Sequence, residues 1–327
     1  MDAPHRTRRE WIRDWIGAGI GATLPGWLVT AAQAGTSDAS RRYRIDATVL
    51  LFGAPVLTRA GVGGAYLSHA WHGDARGGTR RLEFAAGSWP ERAHGLHRMG
   101  LFQELQESVE GEPARAAFFG FMTSSPEKDV AEARRSLAKS GEEHYVAVAG
   151  TGSQGRFHCR RVELDLPPGQ RWEECRVLST GVRRRLEEPA VLASEIDAGD
   201  AQSNTFLDSV RQAMVSVSDR HEALFVHNAK RYRLSAQRRT DTAATRRFAT
   251  RGLVSSSAHV ARISGSIADF ASGGRTAFQL WFEPGDPTGL PLCFDFQPRS
   301  FLRLVFEWDR AGAARDSVSA LLQKENE

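Results

Sequence analysis

Residues Tyr43-Arg44-Ile45-Asp46-Ala47-Thr48-Val49 alternate apolar and polar side chains, run into the wholly apolar Leu50-Leu51-Phe52, and stop at Gly53-Ala54-Pro55-Val56. A period of two places every apolar side chain of such a run on one side of an extended chain, so it reads as a half-buried strand. Similar runs recur at 61–66, 80–85, 114–122, 144–149, 155–164, 172–179, 223–226, 230–236, 259–270, 277–282, 290–296 and 301–308. Most are joined by short, turn-rich segments. Short loops between consecutive strands demand antiparallel pairing, because parallel neighbours need a crossover of about a dozen residues or more. The expectation is an α+β, β-dominated chain: a curved antiparallel sheet or half-barrel with one to three packing helices.

Helical signals are few. Pro126 fits a first helical turn, Ser125 fits a cap, and Glu127 and Asp129 lie near the positive end, so a helix is expected from 126 to about 140. Phe206, Leu207, Val210, Met214 and Val217 fall at helical spacing, with Ser203 as a cap, so 204–217 is a second. Residues 95–107 fit helix or strand. The charged segment 183–203 lacks a clean period and reads as a connector. The glycines of 61–64 form no dinucleotide fingerprint, since the third glycine and a following helix are missing. In strands, glycines mark bulges or close backbone approach.

The first residues carry a different signal. Arg6-Thr7-Arg8-Arg9-Glu10-Trp11-Ile12 resembles a twin-arginine export motif. A weakly apolar stretch follows over 15–29, then the small-x-small site Ala32-Gln33-Ala34. Charged region, apolar region and cleavage site stand in the order of a signal peptide. The apolar stretch, roughly 15 residues broken by Pro25 and glycines, falls short of the ~20 that a spanning helix needs. An ordinary cytosolic helix leaves the ordered arrangement unexplained. We therefore expect a signal peptide over 1–34, one large β-rich domain over 35–310 and a polar tail over 311–327. The mature chain would be periplasmic or secreted, without a transmembrane segment.

The chain has 43 basic and 39 acidic residues, a net charge of +4. Basic pairs such as Arg41-Arg42, Arg80-Arg81, Arg160-Arg161 and Arg246-Arg247 are scattered among acidic residues. A nucleic-acid protein concentrates charge on one element, so this pattern speaks for solvated strand faces and against a nucleic-acid partner. Cys159 and Cys175 flank the turn at 167–170. A simple hairpin there would pair Cys159 near Leu178, so a disulfide needs a bulge or another topology.

Candidate chemistry is sparse. His69, His72 and Asp74, or His94 and His97, would converge on a metal from a loop or helix, yet in a strand His69 and His72 point to opposite faces. Gly150-Thr151-Gly152-Ser153-Gln154-Gly155 lacks the spacing of a nucleophile elbow and reads as a hairpin connection. Glu104, Glu107, Glu110 and Glu112 read as a solvated face. No catalytic residue, metal ligand or cofactor is assigned. The aromatic residues of the strands are more informative: on a flat sheet they are core, whereas on a curved one a subset lines a cavity for an acyl chain. Phe119, Phe121, Trp281, Phe294, Phe296 and Phe306 are that candidate ligand-binding subset. The leading expectation is a non-enzymatic carrier of a hydrophobic envelope ligand. The alternatives are a metal-dependent hydrolase near His69 and His72, and an envelope-assembly protein binding a protein partner along a sheet edge.

The C-terminal run Gln279-Leu280-Trp281-Phe282, the turn through Pro284-Gly285-Asp286, the step Leu290-Pro291-Leu292 and the final strand ending at Trp308 resemble the close of an exported bacterial family of unknown function, domain family 3108. Tyr43-Arg44-Ile45 and the Gly-x-Pro-Val step resemble its beginning. The resemblance implies a curved antiparallel sheet similar to periplasmic lipoprotein carriers. It covers about half of the mature chain, fits least over 88–139, and implies no catalytic residues.

Overall fold

The computed structural model describes residues 39–310 apart from 52–53, 75–76, 94, 96, 125–142, 168 and 200–203. The export signal, the helix expected at 126–140, His94 and the C-terminal tail lie outside the described residues.

Among the described residues fourteen strands form one antiparallel sheet. In chain order they are β1 (Ala39–Leu51), β2 (Ala54–Asp74), β3 (Gly77–Ser88), β4 (Met99–Val109), β5 (Arg115–Thr123), β6 (Glu143–Ser153) and β7 (Arg156–Leu166). The second half comprises β8 (Ala193–Asp197), β9 (Arg220–His227), β10 (Lys230–Thr240), β11 (Ala261–Asp269), β12 (Arg275–Phe282), β13 (Cys293–Arg299) and β14 (Leu302–Trp308). The spatial order is β8-β7-β6-β5-β4-β3-β2-β1-β14-β13-β12-β11-β10-β9. Two meanders are thus zipped together where the first strand meets the last, with Tyr43 opposite Trp308 and Ile45 opposite Phe306. Both β-rich laps share one sheet.

The sheet curls into a nearly closed barrel. Its two edge strands, β8 and β9, come together: Ile196 and Ala198 pack with Leu224 and Val226 in one apolar cluster. The Val226 N–H donates to the Asn204 carbonyl at 3.1 Å. Closure gives every strand an inside and an outside. Phe84 on β3 lies 6.0 Å, ring to ring, from Phe306 on β14 although β2 and β1 separate those strands. Only a concave face brings side chains together across two intervening strands, so this face is the interior.

Among the described residues three α-helices accompany the sheet: α1 (Cys175–Glu187), α2 (Phe206–Val215) and α3 (Thr242–Thr250). α2 occupies the hollow. It touches β3 through the Arg80–Asp208 ion pair, β4 through Glu104, and β9 to β12 through Phe225, Tyr232, Leu234, Ile263 and Leu280. Elements so far apart in the sheet meet one helix only from inside. α1 packs on the outer face of β4 to β7, burying Val182 and Leu186 against Leu101, Phe119, Phe121 and Tyr145. Complete burial of a leucine such as Leu186 contributes roughly 2 kcal/mol. α3 covers the outer face of the other half, where Phe248 meets Trp281 and Leu292. The outer face of β1, β13 and β14 carries Arg44, Asp46, Asp295, Arg303 and Glu307, joined in ion pairs. On these three strands the outer face is charged, whereas the inner face carries Ile45, Phe294 and Phe306. No helix among the described residues is long and apolar enough to cross a membrane.

The expectations need three corrections. The strand expected at 172–179 is a 3-10 turn, 172–174, leading into α1. Trp172, Cys175, Ser179, Val182 and Leu186 are its buried residues, a helical spacing that the arginines between them obscure. The connector at 183–203 contains the end of α1 and the edge strand β8. α3 carries no apolar run long enough to announce it; Asp241 caps it by accepting from the Ala244 N–H at 2.9 Å. Residues 95–107 resolve into the strand β4, and α2 lies where a helix is expected.

Candidate functional site

Alternation along the strands sorts the six candidate aromatic residues. Phe294 and Phe306 point inward and stack at 4.5 Å with an interplanar angle of 9°. Phe296 lies 5.8 Å from Phe306, and Tyr43 meets Phe294 edge-on at 5.2 Å. Phe119 and Phe121 point outward beneath α1, where the Arg183 guanidinium covers the Phe119 ring at 3.8 Å. Trp281 also points outward, beneath α3, and its indole N–H donates to Asp241 Oδ2 at 3.1 Å. The structure therefore brings Phe294, Phe296 and Phe306 together and holds Phe119, Phe121 and Trp281 elsewhere. A period-two strand that is apolar on both faces leaves its inside unmarked in the sequence.

The inward surface does not stop at the Phe294–Phe306 stack. Ala47 stands opposite Leu304, Val49 opposite Leu302, and Phe296 opposite Leu304, so these side chains share the interior face. On the other flank Val49 faces Leu57 and Ala47 faces Arg59. Burial falls along this path: Phe306 is 2% exposed, Leu304 is half-buried, and Leu57 and Leu51 are 51% and 56% exposed. The apolar interior face thus runs out to exposed apolar side chains, with the exposed cation Arg59 beside them. Leu57 is the residue that sequence reasoning passed over, whereas simple alternation already puts Leu302 and Leu304 on the face of Phe306. Their strand period was visible, but not which face turns inward.

At the other end α2 fills the hollow. Glu104 of β4 is buried and accepts from Thr205 Oγ1, the Leu207 N–H and the Asp208 N–H at 2.6, 2.8 and 3.0 Å. Burial pushes its carboxyl up to about 7, against the pull of those three donors. Burial likewise pulls His227 down to about 4, beside Phe102 and Phe206. Both groups pack against α2, Glu104 at its first N–H groups and His227 against the Phe206 ring.

The remaining candidates disperse. His69 and His72 lie on β2 with opposite orientations, and the Asp74 side chain is outside the described residues. Among the described residues no three His, Cys, Asp or Glu side chains converge to hold a metal. His97 is buried, with Nδ1 2.7 Å from Glu143 Oε2 and Nε2 against the Gln170 carbonyl, so it ties the β3–β4 connection to β6. Of the four glutamates, Glu104 is interior while Glu110 and Glu112 are exposed. The 150–155 segment is the β6–β7 hairpin, with Gln154 and Gly155 at positive φ. All three cysteines are free and buried. Cys159 belongs to the interior cluster and Cys175 to the outer one beneath α1, so the sheet itself separates them. Burial pushes each thiol up to about 12, which leaves them unreactive at neutral pH.

No family model matches the chain, and no curated protein does. Among solved structures, the chain is similar to a β-barrel-like protein of domain of unknown function DUF1849 from Brucella abortus. Identity is 9%, the match covers 83% of this chain and 95% of that one, and the TM-score is 0.42. The comparisons do not tie the chain to family 3108 or to lipid carriers. The barrel is read from this chain's own strand pairing.

Proposed function

We propose that the protein is a non-enzymatic binding protein of the bacterial envelope, exported by the signal at 1–34, that holds a hydrophobic, lipid-like ligand at the open end of its barrel. One observation carries this reading: the apolar interior of β1, β2, β13 and β14 runs from the buried Phe294–Phe306 stack out to exposed Leu57 and Leu51. Exposed apolar surface continuous with a concave interior is what an acyl chain requires. Arg59, beside that path, suits an anionic head group. Phe294, Phe296 and Phe306 form the floor of the site. Phe119, Phe121 and Trp281 support it from outside the sheet by anchoring α1 and α3.

A ligand that binds only the folded state raises the melting temperature, by roughly 2.7 kcal/mol of added stability at a hundredfold excess over Kd. A long-chain fatty acid should therefore raise the melting temperature by several degrees, and Leu57→Asp should remove the rise while leaving the unliganded protein folded. An unchanged melting temperature, or a rise that survives in Leu57→Asp, contradicts the site. In either event the apolar tip around Leu51, Val56 and Leu57 would favour the partner-binding alternative.

A further inference from the structure

A second concave surface lies outside the barrel, between α1 and the outer face of β2 to β4. It encloses about 740 Å³ and is lined by Tyr66, Arg81, Glu83, Arg176, Arg183 and Arg184, with Glu187 at the end of the helix. That volume falls within the range of small-molecule sites, roughly 300–1,000 Å³. Strand and helix supply cations from opposite walls: Arg81 from β3, and Arg176, Arg183 and Arg184 from the first and third turns of α1.

The internal pairing leaves positive charge over. Glu83, 1% exposed, takes Arg81 at 3.2 Å, Gln103 at 2.7 Å and the Arg176 Nε. Arg176 also donates to the Tyr66 hydroxyl at 2.7 Å. One buried carboxylate therefore answers two guanidinium groups. Arg183 donates through Nη2 to Gln103 Oε1 and stacks on Phe119, but its Nη1 is buried with no hydrogen-bond partner. Burial, then the like charge of Arg81, pulls the Arg183 guanidinium down to about 10, and Glu187 opposes them. Holding a desolvated cation beside another with a donor unused is costly unless an anion completes the cluster.

We infer that this cleft binds a small organic phosphate bearing hydroxyl groups. A carboxylate offers two coplanar oxygens and satisfies one guanidinium fork at a time. A phosphate offers three oxygens in a tetrahedral array and reaches cations on both walls. Ser68 and Thr180, which also line the cleft, supply hydroxyl partners for the rest of such a molecule.

Calorimetric titration of the mature protein with glucose 6-phosphate, inorganic phosphate and glucose tests the assignment. Glucose 6-phosphate should bind, inorganic phosphate more weakly, and glucose not at all. Loss of a charged hydrogen bond corresponds to about tenfold in affinity, so Arg184→Gln should weaken glucose 6-phosphate by about that factor. Arg184 is exposed, so its variant should melt like the parent. Arg183→Gln should weaken binding further, and raising the salt concentration should do the same. No binding of either phosphate, or equal affinity in both variants, overturns the assignment. Binding to phosphatidylglycerol vesicles without binding of glucose 6-phosphate overturns it in favour of a lipid head group. The two sites are independent: Leu57→Asp should leave phosphate binding intact, and Arg184→Gln should leave the fatty-acid response intact.

Discussion

Glu104 on β4 accepts a hydrogen bond from Thr205 Oγ1 at 2.6 Å, joining one wall of the barrel to the residue that precedes the interior helix α2. A helix begins with unpaired N–H groups and a partial positive charge. Thr205 makes no side-chain cap bond of its own, and the Glu104 carboxylate takes that role from a strand, accepting from Leu207 and Asp208 as well. The Arg80–Asp208 ion pair at 3.2 Å and the Gln106–Thr205 hydrogen bond at 3.0 Å fix the same end. α2 is thereby a plug tied to β3 and β4 by polar contacts and to β9–β12 by apolar ones.

This arrangement makes stability depend on pH. The Glu104 carboxyl titrates near 4.5 when exposed and at about 7 in the folded protein. An acid with a raised folded pKa keeps more protons folded than unfolded between those values, so its contribution is full below 4.5 and is lost as pH rises to about 7. His227, pulled down to about 4, acts in the opposite sense. The difference between Glu104→Gln and wild type isolates the carboxyl. The amide keeps an acceptor for α2 and cannot ionise. Relative to wild type, Glu104→Gln should therefore gain up to roughly 3 kcal/mol between pH 4.5 and 7. Parallel melting-temperature profiles for the two proteins would contradict the assignment.

Two glycines should respond in opposite ways to a single added methyl group. A Cβ at Gly150 on β6 would lie 2.5 Å from the Phe118 ring, so Gly150→Ala should cost about 1–3 kcal/mol by overpacking. Gly181 lies in α1 with nothing within 4 Å of its Cβ position, so Gly181→Ala should gain up to about 1 kcal/mol. Chemical denaturation measures both. A stabilising Gly150→Ala would mean that β5 and β6 are further apart than described.

The antiparallel order and the α2 helix were legible because alternation in β1 and the helical spacing of Phe206, Val210 and Met214 are local patterns. α1 was not, because Arg176, Arg183, Arg184 and Arg185 crowd the same turns as Val182 and Leu186 and hide their period. The arginine-lined cleft beside α1 escaped for the same reason: Arg81 and Arg183 are about a hundred residues apart, and each reads alone as a solvated charge. The inside of the barrel was half legible. Phe294, Phe296 and Phe306 sit on one face by simple alternation, whereas Phe119 and Trp281 are equally apolar and face out beneath helices. Which face is concave depends on sheet curvature, set by all fourteen strands together.

Export is tested at the N-terminus. The mature protein should begin at or near Gly35, and replacing Arg8 and Arg9 by Lys should block export through the twin-arginine route. Retention of 15–29 in the exported form would contradict cleavage, and unaffected export of the lysine variant would assign the general secretory route.

The carrier reading is tested most directly by extracting the protein, purified from its native envelope without detergent, and identifying the released small molecules by mass spectrometry. An acyl-chain compound in near-stoichiometric amount, lost from Leu57→Asp, is the result expected. Protein that carries no lipid, or that carries the same lipid after Leu57→Asp, would contradict a ligand site at the open end of the barrel.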